Sequence, residues 1–268
     1  MKKMRRLTSI ILSSALIFSL AAQPFAPRTG AATTATTGSE EETSQTTEET
    51  SQETTEEEED KKVIVIDPGH QTHAMSALEP NGPGSSVMKA KVTGGACGVA
   101  TGLPEYKLNL QVAKKLKKIL KARGYKVVMV RTKNNVRISN VQRAKIANKN
   151  KADAFIRIHA NSSNSSSVKG ALTIAPTSKN PYMKKKVIKK SQKLTKKVLK
   201  AMCKASGAKN RGVMYTDTMT GINWCKVPVT IVEMGFMSNP GEDRKMAKAS
   251  YQKKIAKGIA NGIDKFLK

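Results

Sequence analysis

Aromatic residues make up only 4% of this 268-residue chain, with one Trp, three Cys and three His. Each scarcity excludes something. Three widely spaced cysteines (Cys97, Cys203, Cys225) cannot build a disulfide scaffold, and no Cys-x-x-Cys pair suggests a zinc ribbon. Any disulfide leaves one odd thiol; a Cys97–Cys225 cross-link stands as the alternative to buried reduced thiols. The aromatics are too scattered for a platform on which nucleic-acid bases stack. Hydrophobic residues are 38%, low for a chain folded end to end, so part of it stays outside any core. Acid is scarce over most of the length. Residues 1–60 take five of the 48 basic residues and eleven of the 20 acidic ones, leaving 43 against nine, a net of +34, for residues 61–268. An acidic segment is joined to a very basic one.

Met1–Arg6 carries four basic residues and Leu7–Ala22 is uncharged. A basic start, a short apolar run and small residues describe a secretory signal peptide over residues 1–22. The run is short of the roughly 20 apolar residues of a membrane span, although an uncleaved anchor is the alternative reading. Cleavage fits Ser19-Leu20-Ala21, with Ala22 or Ala31–Ala32 as further candidates. Residues 23–61 read as a disordered acidic linker, since Thr33–Asp60 holds no large apolar residue to offset the entropy of ordering.

Residues 62–268 read as one catalytic α/β domain. Apolar, β-branched runs predict strands at Lys62–Asp67, Tyr125–Arg131, Ala154–His159, Gly170–Ala175 and Val229–Glu233. Helical spacing predicts helices over Pro104–Arg123, capped by Gly124, and Pro181–Ala205. Asn239-Pro240-Gly241-Glu242 reads as the N-cap of one last helix. Alternating strands and helices imply a twisted, mostly parallel mixed sheet flanked by helices on both faces. Residues 74–102, rich in Gly, Pro and Ser, read as a functional loop or short hairpin.

In open α/β sheets, sites form beyond the carboxyl ends of the strands. Three strands lead to chemistry-bearing residues there: His70 just past Asp67, His159 and Glu233. Glu105 opens the first long helix. Two His and one carboxylate suffice for a zinc site with a position left for water, and a further carboxylate can act as base. Singly, each has a plainer reading. His70 or His159 is a hydrogen-bonded structural residue, Glu105 a charge favoured at a helix start, and His73 a substitute ligand for His70. Glu233 is harder to dismiss, because an acid ending an apolar run needs a partner. Asp67 reads as a cap of the turn before Pro68.

The ordered motifs carry a more specific resemblance. Val63-Ile64-Val65-Ile66-Asp67-Pro68-Gly69-His70, Glu105 with Asn109, Arg131-Thr132, Arg143 with Ala147-Asn148, Ile158-His159-Ala160-Asn161, Asn210-Arg211-Gly212-Val213 and Val232-Glu233-Met234-Gly235-Phe236 follow one another along the domain. Together they resemble the zinc-dependent N-acetylmuramoyl-L-alanine amidases, a family of cell-wall hydrolases. The resemblance implies Zn2+ held by His70, Glu105 and His159, with Glu233 as the catalytic carboxylate. It also implies cleavage of the bond joining N-acetylmuramic acid to L-alanine in peptidoglycan. The alternatives are a zinc peptidase on another wall amide and a non-catalytic wall-binding regulator. The sequence departs from the family at Gln71, where Gly is usual, in the length of the His70-to-Glu105 segment, and at Arg157, which either binds a substrate carboxylate or pairs with an acid. The expected setting is a secreted monomer on the bacterial wall, partnered by peptidoglycan and anionic wall polymers, with no nucleic acid and no membrane insertion after signal cleavage.

Overall fold

The computed structural model describes residues 61–268, so the signal peptide and the acidic linker read from residues 1–60 lie outside the described residues. The chain order is β1 (Val63–Pro68), β2 (Met75–Pro80), β3 (Met88–Val92), α1 (Glu105–Ala122), β4 (Lys126–Met129), α2 (Asn140–Lys149), β5 (Ala154–Asn161), β6 (Ala171–Ala175), α3 (Lys185–Ser206), β7 (Asn210–Tyr215), α4 (Thr220–Asn223), β8 (Val229–Phe236), α5 (Pro240–Ala247) and α6 (Ala249–Leu267). Six strands form one sheet in the order β4-β1-β5-β8-β6-β7. Every neighbouring pair is parallel except β6 with β8. The expected mixed, mostly parallel sheet is therefore present.

Alternation along the strands splits the core into two layers. Ile64, Ile66, Ile156 and Ile158 pack under α1, α3 and α6 with Leu116, Leu194 and Ile259. Val65, Phe155, Val229 and Ile231 point the other way, onto Ala144 and Ala147 of α2 and Ile222 of α4. Both layers are built from buried apolar side chains, as the apolar strand runs require. α6 approaches α3 so closely that a Cβ on Gly262 would overlap the Val198 backbone. Gly262→Ala is expected to destabilise by about 1–3 kcal/mol, the usual cost of overpacking, measured as a fall in the urea midpoint. An unchanged midpoint would contradict so close a helix contact.

The short hairpin expected as one reading of residues 74–102 is present, β2 with β3, paired antiparallel around a bulge. Other expectations needed adjustment. Asn239 caps as read, accepting from Gly241 N and Glu242 N, but the helix it opens ends at Ala247. Extended backbone at Lys248 (ψ 126°) separates it from α6. Glu242 does not reach back to the cap; it accepts from Gly170 N and Phe236 N, each at 2.8 Å. Asp67 does more than cap a turn. It is fully buried and accepts from Arg143 (2.5 Å) and Arg157 (2.9 Å).

Candidate metal centre

β1, β5 and β8 run parallel side by side, so their carboxyl ends open on one edge of the sheet. His159 and Glu233 are register partners there and, by the two-residue period, project from the same face as Phe155 and Ile231. His70 lies just beyond β1, and Glu105 is the first residue of α1. Donor atoms of His70, Glu105 and His159 all lie within 4.8 Å of one another. Glu105 Oε1 sits 3.2 Å from both His70 Nε2 and His159 Nδ1. The two imidazoles meet edge to face with centroids 4.8 Å apart. His73 is exposed and stands outside the cluster.

The surroundings hold this arrangement from several sides. Glu105 Oε1 also accepts from Asn109 Nδ2 and Ala160 N, each at 3.1 Å, and Oε2 accepts from Ala96 N at 2.8 Å. His70 Nδ1 lies 2.9 Å from the Thr93 carbonyl at the end of the hairpin. That contact fixes the ring's second nitrogen, as an outer partner of a metal-ligating His does. His70 itself adopts a left-handed backbone (φ 59°), uncommon for a residue with a side chain. Two arginines grip the carbonyls around it. Arg131 donates to Pro68 O (2.8 Å) and Gly69 O (3.1 Å), and Arg143 donates to Pro68 O (3.0 Å) and His70 O (3.2 Å). Gly69 is required because the His159 ring occupies the space of any Cβ there.

The departures from the family pattern at Gln71 and Arg157 are structural parts of the same corner. Gln71 is fully buried; its Oε1 accepts from Arg143 (2.8 Å) and Ile138 N (3.1 Å). Arg157, 4% exposed, pairs with Asp67 and donates to Asn140 Oδ1 at 2.8 Å. Of its two readings, pairing with an acid is the one found.

Electrostatics set the groups apart. Burial opposes ionisation of Glu105, but the adjacent His70 and His159 hold its carboxyl well below the ordinary range. Burial also disfavours a charged His70, and the Glu105 carboxylate outweighs it and raises the pKa. Burial pushes His159 down to about 4, which keeps that ring neutral. Glu233 goes the other way: burial, then the charge of Glu105, lift it to about 8. The residues present fit a divalent ion. Two imidazoles and a carboxylate converge, and His159 Nε2 is buried with no hydrogen-bond partner. Glu233 Oε2 is also buried and unpartnered, beside the cluster and outside it. Such a donor set suits zinc and its first-row neighbours.

The sequence reading missed the grip of Arg131 and Arg143 on the His70 corner. Its signal was present, since a charged residue at the end of an apolar strand run (Arg131) needs buried acceptors. Asn109 was marked by its four-residue spacing from Glu105, which sets both side chains on one helix face.

Residues 64–265 match the family model for N-acetylmuramoyl-L-alanine amidase. LytC, an N-acetylmuramoyl-L-alanine amidase of Bacillus subtilis (strain 168), is 30% identical over 164 residues, 61% of this chain and 31% of that protein. The chain thus spans about a third of that relative's length. A putative N-acetylmuramoyl-L-alanine amidase of Buchnera aphidicola subsp. Baizongia pistaciae is 29% identical over 187 residues, 60% of this chain and 85% of its own. The catalytic domain of CwlV, an amidase of the same description from Bacillus (Paenibacillus) polymyxa var. colistinus, superposes with a TM-score of 0.62 at 30% identity. That likeness covers 77% of this chain and 98% of the domain. Ami1 from Mycobacterium smegmatis shares the fold, with a TM-score of 0.70 at 24% identity over 77% of this chain and 96% of that one. With the family match running through nearly all the described residues, the chain belongs to the N-acetylmuramoyl-L-alanine amidase family.

Proposed function

We propose that this amidase domain is a zinc hydrolase of the peptidoglycan amide between N-acetylmuramic acid and L-alanine, with His70, Glu105 and His159 as zinc ligands and Glu233 as the catalytic carboxylate. The observation that carries the reading is the convergence of those three donor atoms within 4.8 Å, with Glu233 beside His159 in the strand ladder. Bound zinc supplies a Lewis acid for the carbonyl and brings its water's pKa toward neutrality. Glu233 accepts the proton of the attacking water as its oxygen bonds to the carbonyl carbon. It then delivers that proton to the α-amine of L-alanine as the C–N bond breaks. Asn109, Arg131 and Arg143 keep the ligands in place so that no reorganisation is needed at the moment of reaction.

The peptide segments around this domain fit the same destination. Residues 1–22 act as a signal peptide and residues 23–61 as a linker, delivering a monomeric, wall-associated enzyme. Among the described residues no helix is long and apolar enough to cross a membrane.

Digestion of purified peptidoglycan followed by mass analysis tests the reading. The expected products are intact stem peptides with a free L-alanine amino end. A chelator should abolish their release, and added zinc should restore it. Cleavage inside the stem peptide, or release unaffected by the chelator, would overturn it.

A further inference from the structure

Each of the nine carboxylate side chains among residues 61–268 is buried or half-buried. Most are bound internally. Asp243 accepts from Ala100 N and Thr101 N, Asp217 from Thr177 N and Asn180, Glu79 from Val141 N, and Asp153 from Val63 N. No acid on the described surface is fully exposed: the Asp153 and Asp264 side chains are 32% and 27% accessible and are paired with Lys62 and Arg123, so the unpaired exposed side-chain charge is positive. Its densest part is the outer face of the layer formed by α1, α6 and α3. α3 carries nine lysines and no acidic residue between Lys185 and Ser206, and all nine are exposed. Over about 33 Å of helix, Lys189, Lys196, Lys200 and Lys204 fall on one stripe, at seven- and four-residue spacing. Among the described residues, the Lys and Arg ion pairs are Lys62–Asp153, Arg123–Asp264 and the two to Asp67. None involves a lysine of α1, α3 or α6.

Like charges packed at this density repel one another and cost stability unless an anion compensates them. The face has few aromatics for bases to stack upon: Tyr106 and Tyr251 are half-buried and Phe266 is buried. It offers long rows of point charges without exposed aromatics, which suit a flexible phosphate polymer that carries no bases better than a nucleic acid. By strand alternation His159 and Glu233 project from the opposite face of the sheet, and of the metal cluster only the buried Glu105, at the first residue of α1, borders this layer, so an occupant along α3 leaves the cleavage site free.

We propose that the outer face of α1, α6 and α3 binds a linear, phosphate-bearing polymer of the cell wall and holds the enzyme on its substrate from behind. The proposal rests on the wall as destination and is independent of the metal chemistry.

The test uses the full chain and a Lys189→Gln, Lys196→Gln, Lys200→Gln, Lys204→Gln variant. Glutamine keeps comparable helix propensity at these exposed positions. Co-sedimentation is measured across a salt series with intact walls, with walls stripped of their phosphate polymers, and with single-stranded RNA at equal phosphate. Cleavage of a small soluble muropeptide is measured in parallel. The parent is expected to bind intact walls strongly and stripped walls weakly. At about 0.7 per contacted phosphate, the value for single strands, four lost contacts should lower the log-affinity against log-salt slope by roughly 3. Soluble-substrate turnover should be equal in parent and variant; an inactive parent would count against the proposed hydrolase function and leave the binding result intact, whereas turnover lost only in the variant would overturn the separation of this face from the cleavage site. Equal binding by parent and variant, no effect of stripping, or preference for RNA would overturn the proposal. So would parent binding that emerges only when the eleven acids of residues 40–60 are replaced by their amides, which would give the face to the chain's own acidic stretch.

Discussion

Glu233→Gln is expected to bind zinc as tightly as the parent and to release stem peptide about 10²- to 10⁴-fold more slowly, the usual contribution of a positioned general base. The side chain keeps its shape and remains beside His159, outside the three-ligand cluster. What it loses is the ability to take a proton. With Glu105 a free carboxylate, burial and then that charge lift Glu233 to about 8, where it is largely protonated at neutral pH. When Glu105 is neutralised as a ligand, that second contribution falls and Glu233 moves toward the neutral range in which a base works best. His159→Ala is the informative partner, since it should lose both metal and activity. Metal analysis and turnover measured on the same samples separate the two roles. A Glu233→Gln enzyme with near-parental turnover would remove Glu233 from the mechanism.

Asp67→Ala should cost about 3–5 kcal/mol of folding stability, the range for breaking a buried ion pair by removing one partner. Two guanidinium groups, Arg143 and Arg157, would be left facing a site without a counter-charge; both are 4% exposed or less. Asp67 itself has no solvent contact. Burial opposes its ionisation, but Arg143 and Arg157 outweigh burial and hold it well below the ordinary 3.8. A depressed carboxylate stabilises the fold at pH values above 3.8 and loses that contribution as pH falls below it. Urea midpoints from neutral pH downward should therefore show the parent losing stability in acid more steeply than the variant. The same substitution should weaken metal binding, because Arg143 also donates to the carbonyls of Pro68 and His70. Parallel acid limbs and equal neutral stability would contradict this role for Asp67.

The parts of the fold legible in the sequence are those with strong apolar periodicity. β1, β5 and β8 are buried on both faces, so their β-branched runs stand out and end at the residues that form the site. α3 and α6 are legible for the same reason, with Leu194, Val198, Met202, Ile259 and Ile263 on buried stripes. α2 escapes such a reading because it buries only Arg143, Ala144 and Ala147. Its signature was local instead: the Ser139–Gln142 capping box satisfies both backbone donors. β7 is an edge strand with largely exposed residues, and β2 and β3 form a small hairpin with Leu78 and Met88 facing solvent, so neither shows alternation. The break at Lys248 has no Pro or Gly to announce it.

The residues that cluster at the site were legible in the sequence, and those that support them less so. His70, Glu105, His159 and Glu233 are rare residue types at strand and helix ends, and the fold brings all four to one edge. Arg131, Arg143, Gln71 and Arg157 work through carbonyls and carboxylates far apart in sequence. No spacing along the chain encodes those contacts.

Anomalous diffraction at the zinc absorption edge, on crystals of the zinc-loaded protein, tests the central claim most directly. One peak bonded to His70, Glu105 and His159 is expected, with the Glu233 carboxylate nearby and unligated. A peak held by other residues, a peak with Glu233 among the ligands, or no peak at full zinc occupancy in solution would contradict it.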